Sequence, residues 1–184
     1  MDRTVMASMF IAAGLIVGLI IAIIIVKICN TNGKFKTDYD ERQKIMIGKS
    51  YKCAMITTWV LLAIWMIVDM GGNKLPVENS VLVFSVIFVS VMVHASYSVW
   101  TDAYFGGNSN NKRYAIMSIV ITLINLAAAV RYFMDGSIIV DGVLTFRVCN
   151  AECALMFLIL GIEFWIKSIV DKKENMQEDG DEES

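Results

Sequence analysis

The sequence predicts an all-α, polytopic transmembrane helical bundle of about five spans. Three observations carry that prediction: a hydrophobic fraction of 57% with a mean hydropathy of +0.60, a single proline, and long apolar stretches separated by short polar loops within 184 residues. Soluble domains carry a smaller apolar share and keep a polar face at the 3.6-residue period, which these stretches lack. A hydrocarbon core about 30 Å thick takes about 20 apolar residues in a helix, so stretches of that length are read as spans.

The first span, residues 5–26, runs without a charge. A secretory signal peptide is its rival. Met1–Thr4 has no net positive charge and no small-x-small cleavage site follows Val26, so the segment is expected to stay as an anchor. Gly14, Gly18 and Ala22 recur at four-residue intervals and share one helix face. Apolar side chains gain little in lipid by leaving the tails, so close backbone approach at small residues becomes a main source of helix affinity. This stripe is expected to dock either an internal helix or another protein.

Residues 27–52 divide into a turn, Asn30-Thr31-Asn32-Gly33, and a juxtamembrane helix over about 39–52. Asp38 with Glu41 has capping-box spacing, and Thr37 with Asp40 is a competing start. No breaker follows, so this helix is expected to continue into the second span, 53–68. The outer loop Asp69–Asn79 holds Gly71-Gly72-Asn73 and Pro76 and turns into the third span, 77–100. The run Gly106 to Asn111 is expected to be mobile before the fourth span, 114–133. Asp135-Gly136 and Asp141-Gly142 bound a short β-prone strip before the fifth span, 146–166. Residues 171–184, acidic and nearly free of large apolar side chains, are expected to form a disordered cytoplasmic tail. Trp65, Trp100 and Trp165 fall near span ends as an aromatic belt, whereas Trp59 falls deeper and is expected to pack between helices.

Charge sets the orientation. Net charge is only −2, but of the 16 basic residues all except Arg3, Lys74, Arg131 and Arg147 lie on one side of the five-span topology. Positive loops stay inside, which places the N-terminus outside and the C-terminus in the cytoplasm. The cluster Arg42, Lys44, Lys49 and Lys52 is expected to meet anionic lipid at the cytoplasmic face, worth about 1 kcal/mol per residue near the surface. No clustered basic face suggests a nucleic-acid partner.

Ionisable residues inside spans are costly and therefore candidates for function. These are His94, Arg131, Glu152 and Glu163, with Asn125 as a polar companion beside Ser118 and Thr122. Depth counting pairs Arg131 with Glu152, and His94 with Glu163. They can be read as interhelical fasteners or as a proton or cation pathway. The fastener reading leads, because one histidine and no half-helix broken by Gly or Pro support a transporter poorly. No metalloprotease, nucleophile-elbow, P-loop or C-x-x-C pattern occurs, so no catalytic residue, cofactor or metal is expected. Cys149 and Cys153 read as small apolar residues. Cys29, beside a membrane end, reads the same way ahead of a site for acylation.

The string Asp40-Glu41-Arg42-Gln43, followed by Gly48-Lys49 and Tyr51-Lys52, resembles a group of small uncharacterised bacterial multi-pass membrane proteins with a juxtamembrane D-E-R-Q…G-K-x-Y-K segment. The resemblance implies a bacterial cytoplasmic membrane and makes Asp40, Glu41, Arg42 and Gln43 the expected cytoplasmic partner-contact site. The leading functional expectation is a non-enzymatic accessory or interaction protein, engaging a membrane-protein partner or a second copy of itself. A small permease or ion-conducting protein using His94, Glu152 and Glu163 is the alternative.

Overall fold

Helices form wherever the apolar runs lack Pro and Gly clusters, and they end where those clusters begin. The computed structural model describes the backbone over residues 3–34, 36–72, 75–107 and 109–182, and side-chain surroundings for residue 13 and for the described residues between 16 and 172. The elements are α1 (Arg3–Cys29), α2 (Glu41–Met70), α3 (Asn79–Trp100), α4 (Asn111–Met134), strands β1 (Ile139–Val140) and β2 (Val143–Leu144), a 3-10 turn (Phe146–Val148) and α5 (Cys149–Glu182).

Four helical stretches are long and apolar enough to cross a membrane: Glu41–Met70, Asn79–Trp100, Asn111–Met134 and Phe146–Lys172. The first expected span lies in α1, whose described apolar portion covers Ile16–Cys29. At 1.5 Å per residue the 30-residue α2 is about 45 Å long, more than the hydrocarbon core. The juxtamembrane segment and the second span are thus one continuous rod, as the absence of a breaker required. α5 also outruns its span. Its backbone stays helical to Glu182, which corrects the expectation of a disordered tail. Lys, Glu, Gln and Met in this stretch are good helix formers, and no proline stops propagation from the preceding apolar turns.

In space the order is α2, α3, α5, α4, with α1 leaning on α4. The core is therefore the α3/α5 seam, where Ala95 and Val99 meet Met156, Leu160 and Phe164. These two helices run parallel, because Ser85 reaches Glu152 and, further along both helices, Asp102 reaches Lys167. Trp59 does not pack between helices as expected. It is 62% exposed, on the α2 face turned away from the bundle. Spacing could not choose the face, because the span portion of α2 is apolar all round.

At one end, Asp141 and Gly142 take φ of 51° and 76° and close β1 onto β2. Consecutive left-handed residues are the requirement of a type I′ hairpin, which Asp-Gly meets. Leu144 N–H donates to the Pro76 carbonyl and Glu78 N–H to the Leu144 carbonyl, so the α2–α3 loop joins this hairpin. We call this the hairpin end. The other end, carrying the 27–52 segment, the α3–α4 loop and the last turns of the apolar part of α5, is the basic end.

Candidate functional site at the basic end

The Asp40–Gln43 string is where sequence and structure disagree most usefully. The N-cap of α2 is Asp40, not Asp38. Its carboxylate accepts from Gln43 N–H at 2.6 Å, while Asp40 N–H donates to Gln43 Oε1 at 3.2 Å, a reciprocal capping box. Spacing alone allowed Asp38 with Glu41 equally well. Asp40 is selected because Gln43 also bonds across to the α3–α4 loop, its Nε2 donating to the Asp102 and Phe105 carbonyls, both at 2.8 Å. Arg42 Nη2 donates to the Thr101 carbonyl at 3.3 Å and lies 3.7 Å from Asp102 Oδ2. Glu41 pairs with Lys44 at 2.8 Å. The four residues expected to meet a partner are thus engaged within the chain, two of them, Arg42 and Gln43, stitching the start of α2 to the α3–α4 loop.

That loop is fixed from several sides. Gly107 N–H donates to the Asp38 carbonyl, and Asn110 N–H to the Cys29 carbonyl, both at 2.9 Å. Arg113 Nη1 donates to the Ile28 carbonyl at 2.8 Å, and Lys167 Nζ lies 2.8 Å from both Asp102 and Asp171. A Cβ added at Gly106 would overlap the Asp38 carbonyl oxygen and the Thr37 methyl, so glycine permits the close approach of the two loops. The expected mobility of Gly106–Asn111 is therefore not what its described residues show. Sequence saw glycine and asparagine and not the long-range acceptors around them. Asn30, expected only as a turn residue, is 1% exposed; its Nδ2 donates to the Lys34 and Lys36 carbonyls and shapes the first loop. Cys29 beside it is fully buried, so its sulfur is a packing group and not a surface for acylation.

Rings fill the space under these loops. Tyr104, Phe105, Tyr114 and Phe164 stack edge-on or tilted at 5.0–6.1 Å. Burial there pushes the Tyr104 phenol up to about 12, because phenolate would lose its hydration. Burial likewise raises Tyr39, whose hydroxyl donates to the Tyr104 carbonyl at 3.4 Å.

Some of the polar residues within the spans fasten one helix to another. Ser50 Oγ lies 2.8 Å from His94 Nδ1 and 3.1 Å from Ser98 Oγ, and Tyr51 stacks on the His94 ring at 4.2 Å. Thr58 Oγ1 and Ser90 Oγ are 2.7 Å apart. These bonds sew α2 to α3. Ser85 Oγ donates to Glu152 Oε1 at 2.6 Å and sews α3 to α5. The expected Arg131–Glu152 and His94–Glu163 pairs are not made among the described residues. Depth counting could not know that α3, not α4, faces Glu152, or that His94 turns toward α2. Glu152 Oε2 and Glu163 Oε2 are buried and lack a hydrogen-bond partner among the described residues. Asn125, Thr122 and Ser118 donate to carbonyls of their own helix, at Ile121, Ser118 and Tyr114, instead of crossing to a neighbour. Helix α5 approaches there at Gly161, which offers no side-chain acceptor.

The small-residue stripe does not pack inside the bundle at its described positions. Nothing lies within 4 Å of a Cβ added at Gly18, and Ala22 is exposed. The surroundings of Gly14 lie outside the described residues. No cluster of His, Cys, Asp and Glu able to hold a metal occurs among the described residues.

No protein-family model matches the chain, and no curated protein and no solved structure matches it either.

Proposed function

We propose that this chain is a non-enzymatic accessory or interaction protein of a bacterial cytoplasmic membrane, with its N-terminus outside, its basic end in the cytoplasm, and α1 as the element that docks a partner helix. One observation carries the reading: every described residue from Ile16 to Ile24 is exposed, while the end of α1 is fastened to the α4 end through Ile28 and Cys29. A helix tethered at one end contributes little to bundle packing. Gly18 and Ala22 on that helix supply the close backbone approach by which helices associate in lipid. The partner is a transmembrane helix of another protein or α1 of a second copy. The basic residues around it suit anionic lipid at the cytoplasmic face.

The test is cysteine cross-linking in native membranes from Gly18→Cys and Ala22→Cys, with Thr57→Cys on α2 as the control. A discrete adduct from the α1 positions alone is expected, and it should vanish when the neighbouring stripe position is changed to Ile. Equal, diffuse cross-linking from all three positions would remove the docking role.

A second reading, a small ion-conducting protein, draws on the unpartnered Glu152 and Glu163 oxygens. Ser96 stands eleven residues after Ser85, as Glu163 does after Glu152, so parallel α3 and α5 bring a second serine level with the second carboxylate. Lost flux in Glu152→Gln with Glu163→Gln, with the fold retained, is the result that reading requires.

A further inference from the structure

Between the basic-end loops and the α3/α5 core lies a cleft of about 370 Å³ to which all five α-helices contribute. Its floor is apolar, built from Ala95, Met156, Phe157 and Leu160, and its rim carries Tyr39, Tyr51, Tyr104, Tyr114 and His94. The volume lies in the range of small-molecule pockets. None of the described lining residues carries a formal charge apart from what His94 can take up, so no phosphate, carboxylate or ammonium finds a counter-ion there. The lining residues Tyr51 and Val91 are themselves exposed on the α2/α3 surface, which opens the cleft sideways toward lipid.

The hydrogen bonds around Ser50 decide what the imidazole offers. Ser50 Oγ stands 2.7 Å from the Ile47 carbonyl and 2.8 Å from His94 Nδ1. A carbonyl has no proton to give, so we assign the single Ser50 proton to Ile47, which leaves the Ser50 oxygen to accept from its other neighbours, Ser98 Oγ at 3.1 Å included. The Ser50 oxygen is then the acceptor, and the proton of the neutral His94 ring sits on Nδ1. This leaves Nε2 as a bare lone pair, and no hydrogen bond among the described residues reaches it. Stacking on Tyr51 holds the ring in this pose.

We infer that the cleft is a binding site for a neutral, membrane-soluble aromatic alcohol, a phenol or hydroquinone, whose hydroxyl donates to His94 Nε2 while its ring lies on the apolar floor among the tyrosines. A lone pair that the bound ring would cover from solvent favours a ligand that donates over an isostere that cannot, because the latter leaves Nε2 unpaired. The site does not depend on α1 docking a partner.

The test uses the full chain in lipid nanodiscs with 4-butylphenol, its methyl ether 4-butylanisole, and 4-butylbenzoate, with binding measured by equilibrium dialysis against empty nanodiscs. The phenol is expected to bind saturably and the ether about tenfold more weakly, as the loss of one hydrogen bond implies, with the benzoate unbound. His94→Phe keeps a ring on Tyr51 but removes Nε2, and should bring the phenol-to-ether ratio to about one. Val91→Trp, at the exposed mouth, should weaken both ligands without touching His94, and the two ligands are compared in the unaltered chain whatever either variant does to folding. Equal affinity for phenol and ether in the unaltered chain, a ratio that survives His94→Phe, benzoate bound as tightly as the phenol, or no saturable phenol binding would each overturn the inference.

Discussion

Replacing Gln43 separates the two roles that the Asp40–Gln43 string could play. The side chain accepts from Asp40 N–H at 3.2 Å and donates to the Asp102 and Phe105 carbonyls at 2.8 Å each. A net hydrogen bond contributes about 0.5–1.5 kcal/mol, and two of these three contacts are exposed, so Gln43→Ala should cost about 2 kcal/mol in all. Gln43→Glu keeps the acceptor for Asp40 and the cap, yet turns a carboxylate oxygen toward two carbonyls that can no longer be satisfied. It should be at least as destabilising as the alanine, despite being the smaller chemical change. Both variants would be followed by unfolding in mixed SDS micelles, with hydrogen exchange of residues 101–107 as the local readout. Exchange there should rise in both, because Gln43 holds that backbone. Unchanged stability and unchanged loop exchange in Gln43→Ala, combined with loss of a co-purifying partner, would refute the structural account and restore this string as a contact surface.

Further outcomes follow from the same geometry. A double-mutant cycle on Ser85 and Glu152 should return a coupling of about 0.6 kcal/mol, typical of interhelical hydrogen bonds in lipid, while the cycle on Arg131 and Glu152 should return none. Gly106→Ala should destabilise the chain by roughly 2 kcal/mol or displace the first loop, whereas Gly107→Ala, with only the Asp38 carbonyl oxygen 4.0 Å from the added methyl, should fall within about 0.5 kcal/mol of the parent by the same unfolding assay. Tyr104 should resist alkaline titration at 295 nm until about pH 12. The sign follows from proton binding: between the ordinary phenol range near 10 and about 12 the unfolded chain has released a proton that the folded chain keeps, so stability falls as pH rises through that window, and Tyr104→Phe should lessen the fall.

Sequence by itself determined the solvent, the helix count and the continuity of α2. Each rests on a local property: apolar runs of membrane length, punctuation by Gly, Asn and Asp, and the absence of a breaker between residues 41 and 70. The Asp-Gly hairpin was legible for the same reason, since its left-handed turn is a property of two neighbouring residues. It also identified the polar residues in the spans, because any such residue must find a partner in lipid.

Tertiary structure alone decided who those partners are. In helices apolar on every side, periodicity marks no inner face, so depth could be counted but azimuth could not. That is why Arg131 was matched with Glu152 when Ser85 holds it, and why Trp59 was placed inside when it faces out. The same limit applies to Gln43, whose carbonyl partners at Asp102 and Phe105 lie some sixty residues away and carry no signature of their own. A backbone carbonyl is identical at every residue. Only the fold determines which one is brought within 3 Å of a side-chain amide, and here it turned a string that resembled a surface motif into the clasp between two loops.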